Sequence, residues 1–221
     1  MGESYSCPPG GSIHAGRHNF PDAARVSIWG QSNALGRALR TDVSASPLSA
    51  DAGLAAFDAG TFDRVWIWTG AAYEKLQPAV NNGASVGEFG PEFGLASRWM
   101  RETTSGNLYL EKHAFSGVSI DPYFTPGNYY YNLAVTERTQ ADAWLATYSI
   151  SLIDSGWLWV QGESDSGQTQ SWYQTRLEAL IAGRTTDGFQ DAATKRVLMK
   201  MHPSTSTYGA GPSAAKDAVA S

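Results

Sequence analysis

The stretch that decides the fold is Arg25-Val-Ser-Ile-Trp-Gly-Gln-Ser-Asn33, in which an apolar run leads directly into a polar turn. Residues 25–29 contain β-branched and aromatic side chains and are typical of a short buried strand. Gly30 allows the tight turn that would raise the Ser32 hydroxyl above the end of that strand. A serine at this position is either a nucleophile, which needs a base and oxyanion donors, or only the cap of the next helix.

Four other apolar runs resemble the first one and predict a sheet. We expect strands at residues 63–68, 108–112, 156–160 and 196–201, with helices between them at about residues 91–103, 133–151 and 171–186. Strands that alternate with helices form a parallel sheet covered on both faces. The sequence therefore predicts one α/β domain with five strands over residues 25–221.

Residues 1–24 precede this pattern and carry two prolines and two glycines at positions 8–11. Such a segment is typical of an irregular arm. We expect it to drape over the domain or to contact a neighbour, in a homo-oligomer or in a particle.

The composition limits the classes of function. The 221 residues suffice for one sizeable core, and the formal net charge of −5 argues against nucleic acid or an anionic membrane surface as a partner. No apolar run approaches the ~18 residues that a membrane span requires, so we expect a soluble protein, with an extracellular or particle-borne setting left open. Cys7 is the only cysteine, which excludes an internal disulfide.

Polar segments follow four of the predicted strands, at residues 30–33, 113–119, 161–165 and 202–205. The carboxyl ends of parallel strands meet at one edge of the sheet, and ligands of such sheets bind there. We therefore expect these segments to share one rim that carries the chemistry.

The segment Gln161-Gly-Glu-Ser-Asp165 offers groups that an activated serine needs. The Gln161 amide can donate to an oxyanion, and Glu163 or Asp165 can orient a base or fix the loop. Taken alone, Asp165 is more typical of a turn residue or a helix cap.

Two further segments add candidate groups. In Phe89-Gly-Pro-Glu-Phe-Gly94, Gly90 can present a backbone N–H and Pro91 opens the next helix, although by itself this pattern is only a helix start. The segment Lys112–Ile120 is again a strand followed by a turn, and Lys112 fits a structural ion pair better than catalysis.

Together these segments resemble the SGNH, or GDSL-like, hydrolase superfamily, specifically its branch of sialate O-acetylesterase-like and acetylxylan-esterase-like carbohydrate esterases. That branch carries Gly-Gln-Ser-Asn, then Gly-Pro-Glu, then Gln-Gly-Glu-x-Asp, and this sequence has the three motifs in that order at residues 30–33, 90–92 and 161–165. The resemblance runs from about Val26 to about Pro203 and includes a Lys-x-x-x-x-Gly-x-Ser stretch at residues 112–119.

The resemblance implies a three-layer α/β/α fold of the flavodoxin-like type around a five-stranded parallel sheet, no metal or other cofactor, and removal of O-acetyl groups from carbohydrates. It implies that Ser32 attacks the acetyl carbonyl and forms an acyl-serine. The Ser32 N–H, the Gly90 N–H and the Gln161 side chain would form the oxyanion hole, and Glu163 would be a supporting acid. The remaining motif residues would bind the acetylated sugar: Gln31, Asn33 and Asp165.

The sequence departs from the family at the general base. The family has its histidine in an Asp-x-x-His block near the C-terminus, and none of the histidines at positions 14, 18, 113 and 202 has an aspartate three residues before it. One explanation is that the block lies beyond Ser221. A second is that His202, after the last predicted strand, or a histidine of the arm or of a neighbouring subunit replaces it. A third is that the activity is lost.

Two functions therefore compete. The first is a serine esterase that deacetylates sialate, xylan or another polysaccharide through an acyl-serine. The second is a catalytically inactive SGNH-like protein that binds glycans or forms part of a phage-like virion. Aromatic residues after the third predicted strand stack on sugar rings or pack their own loop onto the domain, and the sequence leaves both open: Tyr123, Phe124, Tyr129, Tyr130 and Tyr131.

Overall fold

A computed structural model describes residues 23–39, 62–77, 80–82, 85, 87–200 and 210–220. The elements in chain order are β1 (Ala23–Gly30), α1 (Ser32–Leu35), β2 (Ala38–Leu39), β3 (Val65–Trp68), β4 (Tyr73–Lys75), β5 (Glu88–Phe89), α2 (Pro91–Glu102), β6 (Asn107–Ala114), α3 (Tyr129–Thr147), β7 (Ile153–Val160), α4 (Gln170–Thr186), β8 (Lys195–Leu198) and α5 (Ala210–Ala220). None of the helices in this part of the chain is long and apolar enough to cross a membrane.

The main sheet has six strands in the order β4-β3-β6-β1-β7-β8. Five of them run parallel, and β4 pairs antiparallel with β3 at one edge. The predicted parallel α/β sheet is thus confirmed, with β4 as an additional edge strand. The sequence pattern missed β4 because it is only three residues long. Strands β2 and β5 form a separate antiparallel pair.

Several element boundaries differ from the prediction, most of all the helix expected at residues 133–151, which lies at Tyr129–Thr147. Two of the differences have identifiable reasons. Strand β1 begins at Ala23, two residues before the expected start of the domain, while residues 1–22 of the predicted arm lie outside the described residues. Strand β7 begins at Ile153 and includes Asp154, whose charge hides the strand pattern in the sequence. The structure accommodates that charge because Arg25 of β1 pairs with the Asp154 carboxylate.

The sheet is covered on both faces. Successive side chains of a strand point to opposite sides, so neighbouring residues pack against different helices. In β6, Leu108 and Leu110 belong to a core cluster that contains Phe93 of α2. Tyr109, between them, packs in another cluster with Leu145 of α3. Helices α1 and α2 therefore lie on one face and α3 and α4 on the other, which gives the predicted three layers.

The face under α3 and α4 contains a buried cation. Arg184 of α4 is fully buried, and its guanidinium lies 4.4 Å from the ring centre of Trp29 and 4.3 Å from that of Trp157. Its Nη2 donates to Ser27 Oγ at 2.8 Å. Burial lowers the pKa of Arg184 to about 9, and the two indole faces offset part of the cost of burying the charge.

Strand β1 occupies the centre of the sheet, between β6 and β7. The chain completes one half of the sheet before it crosses to the other, so the carboxyl end of β1 is a topological switch point, where open α/β sheets bind ligands. Gly30 is level with Ala114 of β6 and with Val160 of β7. The three loops that follow these residues therefore start side by side.

Candidate active site

Ser32 is the first residue of α1 and lies directly beyond the end of β1. The sharp turn requires Gly30, whose φ is +148° and whose Cβ, if present, would lie 2.0 Å from Val160 O. This close approach allows the Gln31 N–H to donate to Val160 O at 3.0 Å. The turn thus holds Ser32 half-buried at the switch point.

Two polar groups of Ser32 have no hydrogen-bond partner among the described residues, namely the hydroxyl and the backbone N–H. The N–H belongs to the first turn of a helix, where backbone donors lack intrahelical acceptors. In the described part of the site, Ser32 therefore has a hydroxyl and a backbone N–H that are available to a ligand.

Gly90 lies next to the serine turn, because its backbone packs against Gly36 at the end of α1. A Cβ on Gly36, whose φ is +104°, would come within 2.6 Å of Gly90 N. The Gly90 N–H, however, donates to Glu92 Oε1 at 2.7 Å. A role in the oxyanion hole requires that the Gly90 N–H also reaches the substrate oxygen.

The Glu92 carboxylate connects the elements on this side of the site and is fully buried. Its Oε1 also accepts from Asn82 Nδ2 at 2.8 Å, and its Oε2 accepts from Lys112 Nζ at 2.8 Å. Lys112 in addition donates to the carbonyl of Leu35, the last residue of α1. Burial lowers the pKa of Lys112, and Glu92 counteracts that effect by stabilising the charge. Lys112 thus forms the structural ion pair that its sequence position indicated.

Gln161 is 1% exposed and is engaged with protein groups on all sides. Its Nε2 lies within hydrogen-bond distance of Gln31 Oε1 and Val118 O, each at 3.2 Å, and of Asp165 Oδ2 at 2.5 Å. Its Oε1 accepts from the Tyr173 hydroxyl at 2.6 Å. Because an amide has two N–H bonds, an oxyanion would have to displace one of these acceptors.

Gln31 and Asp165 are buried and connect neighbouring loops. Gln31 Oε1 accepts from the Ser164 N–H at 3.3 Å as well as from Gln161. Asp165 Oδ2 accepts from the Ile120 N–H at 2.8 Å. These contacts hold together the loops that follow β1, β6 and β7, and a direct contact of either side chain with a sugar stays a prediction.

Asn33 and Glu163 form the outer edge of the site. Asn33 is exposed, and its Nδ2 donates to Glu163 Oε1 at 2.5 Å. Glu163 Oε2 is buried and has no hydrogen-bond donor among the described residues. Burying a carboxylate oxygen without a hydrogen-bond donor costs free energy. A further N–H or O–H donor next to Glu163 Oε2 would therefore be stabilising.

Lys216 of α5 also belongs to the site, although no pattern in the sequence indicated it. It is 1% exposed, and its Nζ donates to Gln161 O and, at 2.7 Å, to Met199 O. Burial lowers the pKa of Lys216 to about 8, while Glu163 and Asp165 favour its charged form. A single lysine in an alanine-rich helix is typical of a solvent-exposed position, and only the packing of α5 reveals its burial.

His113 is the only histidine among the described residues, since His14, His18 and His202 lie outside them. Its Nδ1 is 2.8 Å from Glu137 Oε2 of α3, and its ring meets Trp29 edge-on at 5.3 Å. Burial alone would lower the pKa of His113, but Glu111 and Glu137 outweigh that effect and raise it. His113 therefore packs into the core under α3, and the predicted base His202 is outside the described part of the chain.

The described residues contain no group of three or more His, Cys, Asp or Glu side chains that could hold a metal ion. The groups that meet at the switch point include the Ser32 hydroxyl, the backbone N–H groups of Ser32 and Gly90, and three side-chain amides and two carboxylates, those of Gln31, Asn33, Gln161, Glu163 and Asp165. This set is suited to acyl transfer, in which a serine attacks a carbonyl and N–H groups stabilise the resulting oxyanion.

Comparisons with known proteins gave matches to two solved structures and to one family model. A solved structure from Arabidopsis thaliana matches with a TM-score of 0.53 and 16% identity, over 90% of this chain and 98% of that one. The crystal structure of NanS matches with a TM-score of 0.46 and 14% identity, over 80% of this chain and 66% of that one. No curated protein matches in a sequence search. The family model described as carbohydrate esterase, sialic acid-specific acetylesterase, matches residues 26–191, and the chain therefore belongs to that family.

Proposed function

We propose that this protein is a serine esterase that removes O-acetyl groups from carbohydrates through an acyl-serine intermediate. The observation that carries the proposal is the state of Ser32. Its hydroxyl and N–H have no partner among the described residues, and they lie at the switch point of a chain from a carbohydrate esterase family.

In the proposed reaction, Ser32 Oγ attacks the acetyl carbonyl carbon while a base removes the hydroxyl proton. The tetrahedral oxyanion collapses, the bond between carbonyl carbon and sugar oxygen breaks, and the base returns the proton to the sugar oxygen. Water then attacks the acetyl-Ser32 ester, and acetate leaves with regeneration of the serine hydroxyl.

The oxyanion donors differ in how readily they can reach the substrate. The Ser32 N–H has no acceptor to give up among the described residues. The half-buried Gly90 N–H can be shared between Glu92 Oε1 and the substrate oxygen, whereas the buried Gln161 amide must release Gln31, Val118 or Asp165. We therefore propose that the contribution to catalysis decreases from Ser32 to Gly90 to Gln161.

For the base we propose His202, with Glu163 as its supporting acid. Before residues 201–209, the Met199 N–H donates to Trp159 O of β7 at 2.9 Å, and after them Lys216 donates to Gln161 O, so the described chain on both sides of this segment lies at β7 or the loop after it. The open acceptor at Glu163 Oε2 is suited to an imidazole N–H, which would fix the tautomer of the base.

The test is acetate release from 4-nitrophenyl acetate and from an O-acetylated sialic acid. Ser32→Ala should lower kcat/KM by at least about 10³-fold, because the members of such a triad act as a unit. Ser164→Ala is the matched control, since Ser164 is exposed in the adjacent turn, and it should stay within about twofold of the parent. Undiminished turnover by Ser32→Ala would refute the proposal.

The base has a separate test, in which His202→Ala should remove activity while the folded state survives, as judged by circular dichroism. His113→Ala is the comparison variant. It should lower the free energy of unfolding, because His113 lies in the core. If His202→Ala keeps its activity, the base lies elsewhere.

A second candidate function is glycan binding without catalysis. The observation in its favour is that the only histidine among the described residues is engaged with Glu137 in the core. This candidate predicts no acetate release from any acetyl ester, together with measurable binding to a polysaccharide. Turnover that depends on Ser32 would exclude it.

A further inference from the structure

Four aromatic side chains form a continuous surface beside the serine turn: Phe115, Tyr123, Tyr129 and Tyr130, called here the aromatic platform. The rings of Phe115 and Tyr130 are stacked, with centres 3.7 Å apart and an angle of 12°. Tyr130 also contacts Tyr123 at 5.5 Å and Tyr129 at 5.1 Å. The four rings thus form one cluster of contacting aromatic side chains.

The outer rings of the platform are open to solvent, with Tyr129 69% exposed and Tyr123 38% exposed. The hydroxyls of Tyr123, Tyr129 and Tyr130 have no hydrogen-bond partner among the described residues. By contrast, buried tyrosine hydroxyls in this domain donate to protein acceptors, as Tyr73 does to Glu111. The platform therefore retains both ring faces and hydroxyls that a ligand can use.

The platform is fixed to the candidate active site through its backbone. The Phe115 N–H donates to Gly30 O at 3.0 Å, two residues before Ser32. Farther along the same loop, Val118 O accepts from Gln161, and the Ile120 N–H donates to Asp165. The loop that carries Phe115 and Tyr123 is therefore part of the same rim as Ser32.

The inner side of this loop is packed, so the platform is not a loose loop. Phe124 is fully buried and meets Trp159 edge-on at 5.2 Å. The N–H groups of Tyr130 and Tyr131 both lie 3.1 Å from Tyr123 O, which connects the loop to the start of α3. Tyr123, Tyr129 and Tyr130 thus have defined positions before any ligand arrives.

We propose that the aromatic platform is a sugar-binding subsite, which stacks on the apolar face of a pyranose ring next to the acetylated residue of the same glycan. This inference rests on the proposed function and specifies its substrate as an oligomeric glycan. Aromatic faces attract the C–H groups of a sugar ring, and tyrosine hydroxyls bond to ring hydroxyls. The platform itself carries no charged side chain, which favours a neutral sugar as its occupant.

The kinetic test compares Tyr129→Ala and Tyr123→Ala with the parent on O-acetylated xylan, on O-acetylated submaxillary mucin and on 4-nitrophenyl acetate. Losing one stacking ring should raise KM for the preferred glycan by about 3- to 10-fold. Turnover of 4-nitrophenyl acetate should stay within about twofold, because this ester is too small to span both sites. The two glycans distinguish a xylan chain from a sialylated chain as the source of the stacked sugar.

Two control variants sharpen this comparison. Tyr148→Ala removes an exposed tyrosine just beyond the far end of α3. It should change neither the KM for the glycans nor the turnover of 4-nitrophenyl acetate. Tyr129→Trp keeps a stacking face and should retain the KM of the parent. Equal losses on glycan and on 4-nitrophenyl acetate, or no change in KM for either glycan in the Tyr123→Ala, Tyr129→Ala double variant, would overturn the proposal.

A binding test separates this inference from the proposed function. Ser32→Ala should be retarded in native gels that contain xylan or mucin, and the additional loss of Tyr123 and Tyr129 should abolish the retardation. If the parent hydrolyses no acetyl ester, the proposed function fails, but the gel still tests the platform. Absence of retardation by both glycans, or retardation that survives the loss of both tyrosines, would contradict the subsite.

Discussion

Two clusters of polar side chains in the same domain differ in how completely their hydrogen-bonding atoms are paired. One lies under α3, where Arg25 and Arg138 meet the carboxylates of Glu111, Asp142 and Asp154, and we call it the arginine cluster. Arg25 donates to Asp154 at 2.8 and 2.9 Å and to Asp142 at 2.6 Å. Burial opposes the charge of Arg25, but the surrounding carboxylates outweigh that effect and raise its pKa.

The other cluster is the rim around Ser32. There the Gln161 amide is hydrogen-bonded to Gln31 and Asp165, whereas two polar atoms stay open. The Ser32 hydroxyl and Glu163 Oε2 have no hydrogen-bond partner among the described residues. The paired charges of the arginine cluster support the fold, whereas the open polar atoms at the rim lie where a ligand can reach them. Variants of the two clusters should therefore affect different measurements.

The largest effect is expected for Glu111→Gln in the arginine cluster. Glu111 is fully buried and accepts from the Tyr73 hydroxyl at 2.7 Å, from Arg25 at 3.2 Å and from Arg138 at 3.4 Å. Removing its charge leaves two buried guanidinium groups underpaired, which should lower the free energy of unfolding by about 3–5 kcal/mol. Urea denaturation measures this change.

The control for that variant is Glu178→Gln, an exposed position on α4. It should change the free energy of unfolding by less than about 0.5 kcal/mol. The folded fraction of Glu111→Gln should keep the turnover of the parent. A stable but inactive Glu111→Gln protein would show that Glu111 acts in catalysis and not in stability, and would contradict the difference between the two clusters.

A smaller effect is expected from Lys216, which is buried beneath the rim. Its pKa of about 8, lowered by burial, lies below that of the unfolded chain, so above pH 8 the unfolded state binds a proton that the folded state has released. Stability attributable to Lys216 therefore increases as the pH rises from about 8 to 10.5, by at most about 3 kcal/mol.

The measurement is the difference in free energy of unfolding between the parent and Lys216→Met at pH 7 and at pH 10. The parent should gain stability relative to the variant at the higher pH. Lys200→Met serves as control because Lys200 is half exposed and pairs with Asp217 at the surface. A difference that is independent of pH would show that Lys216 keeps an ordinary pKa in the folded state.

Glu163→Gln should change the free energy of unfolding least of these variants. Its effect should appear in catalysis instead. The new amide oxygen still accepts from Asn33, so the turn survives, but the negative charge that supports the base is gone. We expect kcat to fall by about 10- to 100-fold with little change in melting temperature. A large loss of stability with unchanged kcat per folded molecule would assign Glu163 to the structural group.

Much of the fold followed from the sequence, because each central strand is an apolar run that ends in a polar turn. The sequence also predicted that the segments at residues 30–33, 113–119 and 161–165 share one rim, and hydrogen bonds connect these three segments or the residues directly after them. These turns follow parallel strands, whose carboxyl ends lie at one edge of the sheet. Gly90 instead follows β5 of the separate antiparallel pair, and its position depends on the contact with Gly36.

The partners of individual side chains could not be read from the sequence. Glu92 and Lys216 look like ordinary surface residues of two helices, and their burial depends on how α2 and α5 pack against the sheet. The acceptors of the Gly90 N–H and of the Gln161 amide depend on the same packing. Sequence motifs therefore located the rim, while tertiary contacts decide which of its donors and acceptors are open.

The most direct test of the central claim is to trap the acyl-serine. The protein is mixed with 4-nitrophenyl acetate, quenched in acid and digested with trypsin, and the peptide from Val26 to Arg37 is examined by mass spectrometry. The acyl-serine mechanism predicts one acetyl group on Ser32 in the parent and none in Ser32→Ala. Acetate release by the parent with no acetylated Ser32, or equal release by Ser32→Ala, would contradict it.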